Sequence, residues 1–227
     1  MVRKTRLPNA SRARQLDQGE ARRSDATRTE RGRQKRDLLL AAARVVFERD
    51  GFLHSRIADI CGEAGVALGS FYTYFGSKEE IFQAVLDGVE LDLLTFSAPP
   101  ADANAFERIR AANRHYLEAV RDNAALLAVI EQVVTFDDDA KATRDRREEE
   151  FADLLERRTR EYQSAGLADP RLDPRIAARA LGAMVDTVAR SLFMRGASTE
   201  HDVDLVSEQL TLLWMNALGM NAAPSEP

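Results

Sequence analysis

The 227-residue chain has one cysteine, Cys61, one tryptophan, three histidines, seven prolines and 12 glycines. A single thiol excludes an internal disulfide and any multi-cysteine metal site, a usage that fits a reducing cytoplasm. Scarce glycine and proline, with only short runs of β-branched residues, argue against sandwiches, barrels and doubly wound sheets. The longest clean apolar run, Leu38–Ala43, stops at Arg44, far short of the ~20 residues of a membrane span. The first residues are basic, but no apolar stretch or small-residue cleavage site follows, so no secretory signal is expected and the expected location is cytoplasmic. His54, His115 and His201 fall at no metal-ligand spacing, and no nucleophile motif or phosphate-cradling glycine loop occurs. No catalytic residue, metal or cofactor is therefore expected, although an all-α enzyme stands as the competitor from a different class. Asp137-Asp138-Asp139 has two readings, a cation site or, more simply, the acidic start of a helix.

What the chain does have is 44% hydrophobic and 30% charged residues, the balance of a globular protein long enough to bury a core. Its net charge of −5 is unevenly spread. Residues 1–36 hold 12 Lys/Arg against four Asp/Glu, so that end is +8 and the remainder −13. A basic end on an acidic body suits contact with a polyanion at one end, and equally suits a solvated tail.

Hydrophobic spacing predicts an all-α fold of about nine helices. Residues 1–33 lack a helical stripe and read as a basic disordered arm. Leu39, Ala42, Ala43, Val46 and Phe47 line a first helix from about 34 to Asp50-Gly51. A second begins near Arg56 with Ser55 as candidate cap, turns Ile57, Ile60, Cys61 and Ala64 inward, and ends at Gly65. A third covers about 67–75, with Leu68, Phe71, Tyr72 and Phe75 on one side. Ser77-Lys78-Glu79-Glu80 has the capping-box pattern and opens a fourth helix to about 96. After Pro99-Pro100, helices are expected near 104–121, 124–134, 140–165, 175–195 and 200–218, followed by a disordered tail over 220–227.

Two short helices joined through a glycine have the form of a helix-turn-helix. The third helix, Ala67 to Phe75, carries small and hydroxylated residues suited to base edges and phosphates, with Tyr72, Tyr74 and Lys78 crowding its end. Gly51-Phe52, Ile57-Ala58-Asp59-Ile60-Cys61, Ala64-Gly65-Val66, Gly69-Ser70-Phe71-Tyr72, Tyr74-Phe75 and Ser77-Lys78-Glu79-Glu80 closely resemble the DNA-binding domain of TetR-family regulators, over roughly residues 34–90. The resemblance implies that the third helix enters the major groove. It implies a DNA-binding set of Ala67, Leu68, Gly69, Ser70, Tyr72, Thr73, Tyr74 and Lys78, with the aromatic pair and lysine on phosphates. It also places Ser55 and Arg56 on the DNA backbone at the start of the second helix. Ala67 stands where the family has a capping Ser or Thr. Leu68 either meets a thymine methyl or turns inward. In the arm, Arg31-Gly32-Arg33 has the form of a minor-groove hook, so Arg31 and Arg33 join the DNA-binding set.

The same resemblance implies two further segments, a helix-turn-helix domain over 34–94 and a helical effector-binding and dimerisation domain over 101–219, and a homodimer on a palindromic operator. The dimer stripe reads Ala177, Leu181, Met184, Val188 and Leu192 on the eighth helix, and Val206, Leu210, Leu213 and Ala217 on the ninth. Phe106, Tyr116, Phe151 and Tyr162 point to a largely apolar cavity of a few hundred Å³ for a small organic effector. Asn113 and Arg158 interrupt apolar stripes, so each either meets a ligand or is satisfied by protein and solvent. The expected function is a ligand-responsive DNA-binding repressor. The alternative keeps DNA binding and replaces the small molecule with a protein partner or an architectural role.

Overall fold

The computed structural model describes residues 10–94, 102–194 and 202–220, with side chains from Glu30 onward except Asp139. Residues 1–9 of the expected arm and 221–227 of the expected tail lie outside these. Among the described residues there are nine helices and no strand: α1 (Ala10–His54), α2 (Ile57–Ala64), α3 (Leu68–Phe71), α4 (Lys78–Leu94), α5 (Ala105–Asp122), α6 (Ala124–Val133), α7 (Asp138–Ser164), α8 (Pro174–Phe193) and α9 (Val203–Ala217).

Two boundaries correct the sequence reading. The backbone over residues 10–33, expected to be a disordered arm, continues α1 upstream. The apolar stripe that marks a packed helix begins only at Leu39, but the preceding Arg, Gln, Glu and Ala residues are good helix formers. Once the packed part of α1 has met the nucleation cost, each added residue gains a hydrogen bond. At the other end Met220 is buried, with its N–H donated to Met215 O at 2.8 Å, so order runs one residue into the expected tail.

The first four helices enclose one core. Leu39, Ala43, Val46 and Phe47 of α1 meet Ile60 of α2, Phe71 of α3 and Ile81 of α4, all fully buried. Phe47 stands edge-on to Phe82 with ring centroids 5.0 Å apart, and Phe52 packs on Phe82 at 4.6 Å. Backbone geometry sets the two sharp exits. Gly51 leaves the helical path at φ 70, ψ 170, and Gly65 ends α2 in the left-handed region at φ 65, ψ 31. No atom lies within 4 Å of a Cβ added at Gly65, so Gly65→Ala meets only the conformational penalty. The expected loss is about 1–2 kcal/mol, read as a lower urea midpoint with an unchanged m-value.

The second half is organised around α5, which packs on α4, α8 and α9, while α7 lies along α8. Gly182 permits the α7–α8 approach, since a Cβ there would sit 2.9 Å from Leu155 Cδ1. Local caps define the starts. Asn104 and Glu107 exchange hydrogen bonds at 3.0 and 2.8 Å, and Asp137 accepts from Ala140 N at 2.9 Å, the simpler of the two readings of the aspartate run. Asp173 and Asp202 cap α8 and α9 in the same way. The halves meet where Arg44 Nη2 donates to Asp122 O at 2.9 Å and α1 packs on α6.

Candidate nucleic-acid interface

α3 is short because it is wedged between Gly65 and the turn Tyr72–Tyr74, and its direction is fixed by two buried anchors, Phe71 and Phe75. With those rings inward, the opposite edge faces out. Ala67, Gly69 and Thr73 are exposed, and Ser70 is half-buried. Leu68 is 50% and Tyr72 58% exposed, so neither goes into the core with Phe71 and Phe75, the side on which helical spacing grouped all four. A helix of four residues shows no period long enough to separate its faces, so the sequence could not settle Leu68. Ala67 supplies no side-chain cap to α3.

Ser55 departs from its expected place. Its side chain is 3% exposed and its hydroxyl donates to Phe52 O at 2.8 Å. It neither caps α2, whose N-cap is Arg56, nor presents a hydroxyl to solvent. Arg56 is exposed, with its N–H held by Asp59 at 3.2 Å. Lys78 is half-buried, and its Nζ donates to Phe52 O at 2.7 Å and Ser55 O at 3.1 Å while lying 4.4 Å over the Phe52 ring. It straps the start of α4 to the α1–α2 connection and keeps one N–H for another acceptor. Ser77 Oγ caps Glu80 N at 3.2 Å; the returning Glu80 carboxylate takes Gly76 N at 2.6 Å, one residue earlier than a capping box requires. Tyr74 is half-buried against the core.

One neighbour was not foreseen. The Arg36 guanidinium lies 5.2 Å over the Phe75 ring, so α1 passes the end of α3 and its basic upstream turns leave the domain beside that edge. Arg31 and Arg33 are exposed there, Arg33 paired with Glu30. The Arg36–Phe75 contact has no local signature, because the residues are 39 positions apart.

A cavity of about 730 Å³ opens between α4, α5, α6, α7 and α8. Tyr116 and Phe151 line it and stack on each other at 5.8 Å and 17°. The other expected ligand residues do not line it. Asn113 is buried and donates to Thr211 Oγ1 at 3.1 Å, joining α5 to α9. Arg158 is exposed and paired with Glu161 at 2.8 Å. Phe106 and Tyr162 are half-buried against the core, outside the cavity. The walls are more apolar than polar, as expected, but charged residues interrupt them. Leu93, Leu127, Ile130 and Leu155 share them with the acids Glu90, Glu131, Glu148 and Asp186 and with four arginines. Tyr116 donates to Asp186 at 2.7 Å, and burial together with that carboxylate holds its phenol well above the ordinary tyrosine range. Burial likewise raises the Glu90 carboxyl, against the opposing pull of Arg147. Among the described residues no group of three or more His, Cys, Asp or Glu is placed to hold a metal, and no helix is long and apolar enough to cross a membrane.

The expected dimer residues divide. Leu181 and Leu210 are buried within this one chain and belong to its own core. Ala177, Met184, Val188, Leu192 and Val206 are half-buried, while Leu213 and Ala217 are exposed. Ile176 at 70% and Leu205 at 55% exposed extend the same outer apolar surface.

A three-helix unit whose third helix presents an outward edge, coupled to a helical half with a cavity, defines a helix-turn-helix fold. The family model for bacterial regulatory proteins of the tetR family matches residues 39–85. The chain is 30% identical over 94 residues to the uncharacterized HTH-type transcriptional regulator YfiR of Bacillus subtilis, covering 41% of this chain and 46% of that protein. It is 27% identical over 97 residues to the transposon Tn10 TetC protein of Escherichia coli, covering 42% and 49%. These matches span about half the length of the curated relatives. Salmonella enterica GusR superposes with a TM-score of 0.66 at 22% identity, over 82% of this chain and 96% of that one. Bacillus subtilis FadR in complex with stearoyl-CoA superposes at 0.62 and 19% identity, over 78% and 96%. At such identities the structural likeness establishes the all-α fold. Residues 39–85 therefore match the tetR-family model, and the described part of the chain shares the fold of the superposed structures.

Proposed function

We propose that the protein is a homodimeric repressor that holds a palindromic DNA operator and releases or retains it under the control of a small organic effector. The observation that supports this most is the outward edge of α3. Leu68 and Tyr72 are large side chains left exposed beside Gly69 and Thr73 on an element anchored by two buried phenylalanines. In a helix-turn-helix that edge enters the major groove, where Leu68 suits a thymine methyl and Thr73 and Ser70 suit polar base edges. Arg56, Tyr72 and Tyr74 are assigned to phosphates, while Lys78 is held to Phe52 O and Ser55 O. Ser55 is left out, because its hydroxyl is already spent on Phe52 O. The outer apolar surface of α8 and α9 supports a two-fold pairing, and the cavity supports an effector.

The reading is tested by selecting duplexes from a random pool with the purified protein. Two-fold symmetry requires an inverted repeat with half-sites about one helical turn, or a multiple, apart, and sedimentation of the complex should give an even number of chains per duplex. A pool that stays random, or a monomer on DNA, contradicts it.

The upstream part of α1 is assigned to the phosphate backbone, with Arg31 and Arg33 nearest the domain. Each arginine close to phosphate releases condensed counterions and adds affinity with little base preference. Deleting residues 2–30 is expected to weaken operator binding several-fold at low salt and to flatten the log–log salt slope, with base preference unchanged. Superimposable curves for the two proteins would make this segment irrelevant to DNA.

A further inference from the structure

The charges on the cavity wall are not equivalent. Each of the four arginines already faces a carboxylate: Arg144 with Asp145 at 3.0 Å, Arg147 with Asp87 and Glu90, Arg179 with Glu149, and Arg190 with Asp186 at 2.6 Å and Glu131 at 2.8 Å. The acids are in the opposite position. Asp186 uses Oδ1 for both Tyr116 and Arg190, leaving Oδ2 without a hydrogen bond among the described residues. Glu131 shares the same single arginine, and Glu148 has no cation within ion-pair distance among the described residues. The stacked Tyr116 and Phe151 rings line the same cavity.

An anionic ligand would have to share each arginine with the carboxylate it already faces and would be repelled by that carboxylate. A cationic ligand finds open carboxylate oxygens without displacing anything, and ring faces that attract a cation electrostatically. We infer that the cavity takes an organic cation: an apolar or aromatic body among Leu93, Leu127, Ile130 and Leu155, with its positive charge held by Glu148, Glu131 and Asp186. This rests on the effector-controlled reading above and names the chemical class of the effector. The Tyr116 phenol, donating to Asp186, fixes that carboxylate on the wall and stays protonated throughout the physiological range.

Tetraphenylphosphonium and tetraphenylborate have nearly the same size and shape and opposite charge, so they isolate the sign of the charge. Calorimetric titration of the full chain with each is expected to give a dissociation constant at least about tenfold lower for the cation. Glu148→Gln, at an exposed and unpaired residue, should weaken the cation several-fold without changing the melting temperature, and Glu131→Gln should do so independently. Equal or tighter binding of the anion overturns the assignment, as does binding of neither ion. Cation binding that ignores both substitutions also overturns it, since the ion would then sit elsewhere. Operator binding is measured in the same preparations without ions. If the cation binds as expected but no DNA is retained, the regulator reading fails while the cavity assignment stands; if DNA is retained and the cation is not, the reverse holds.

Discussion

Phe47→Ala is expected to cost about 3–5 kcal/mol of folding free energy, the range for emptying a fully buried aromatic site. Phe47 has no exposed surface and ties α1 to α4: it meets Phe82 of α4 edge-on at 5.0 Å and, across the Gly51 kink, Phe52 at 5.9 Å. A domain stable by about 5–15 kcal/mol loses a large share of its margin. The urea midpoint should fall sharply, and operator binding at ordinary temperature should fall with the folded fraction. An unchanged midpoint would mean that these rings do not form the centre of the domain.

Lys78→Met keeps the stem that covers Phe52 and removes the charge. The expected loss is about 2–3 kcal/mol, because the carbonyls of Phe52 and Ser55 lose a charged donor in a half-buried place. Two roles for this ammonium separate cleanly. As a strap it lowers the urea midpoint and leaves the salt slope of DNA binding nearly unchanged. As a phosphate contact it would flatten that slope by ~1 with little change in stability. The two short bonds to backbone carbonyls put the first outcome forward. A flattened slope at unchanged stability would return Lys78 to the phosphates.

How much of this was legible in the sequence follows from where the signals lie. Helices α2 and α4 to α9 fall within a few residues of expectation because their limits are written locally, in Asn104, Asp137 and Pro174 at starts and Gly65, Gly166 and Gly219 at ends. The upstream part of α1 was missed because helicity there comes from propensity on an already formed helix, with no packed face to mark it. Long-range polar pairing left no trace either: Asn113 is satisfied by Thr211, 98 residues away, and no pattern around Asn113 distinguishes that partner from a ligand. The cavity's charge was hidden for a third reason. Arg144, Arg147 and Glu148 sit on a strongly charged helix that reads as solvated surface, yet that side of α7 contributes to the cavity wall.

The claim on which the account turns is that the exposed edge of α3 reads DNA. The most direct measurement is a fluorescence anisotropy titration of the selected operator, and of a scrambled duplex, with the wild-type protein and with the Leu68→Ala/Thr73→Ala pair. Neither side chain belongs to the buried core, so the melting temperature should stay the same. Base contacts are worth about 1–3 kcal/mol each, so the variant should lose roughly tenfold or more on the operator and almost nothing on the scrambled duplex. Identical isotherms for the two proteins on the operator, at unchanged stability, would contradict the account.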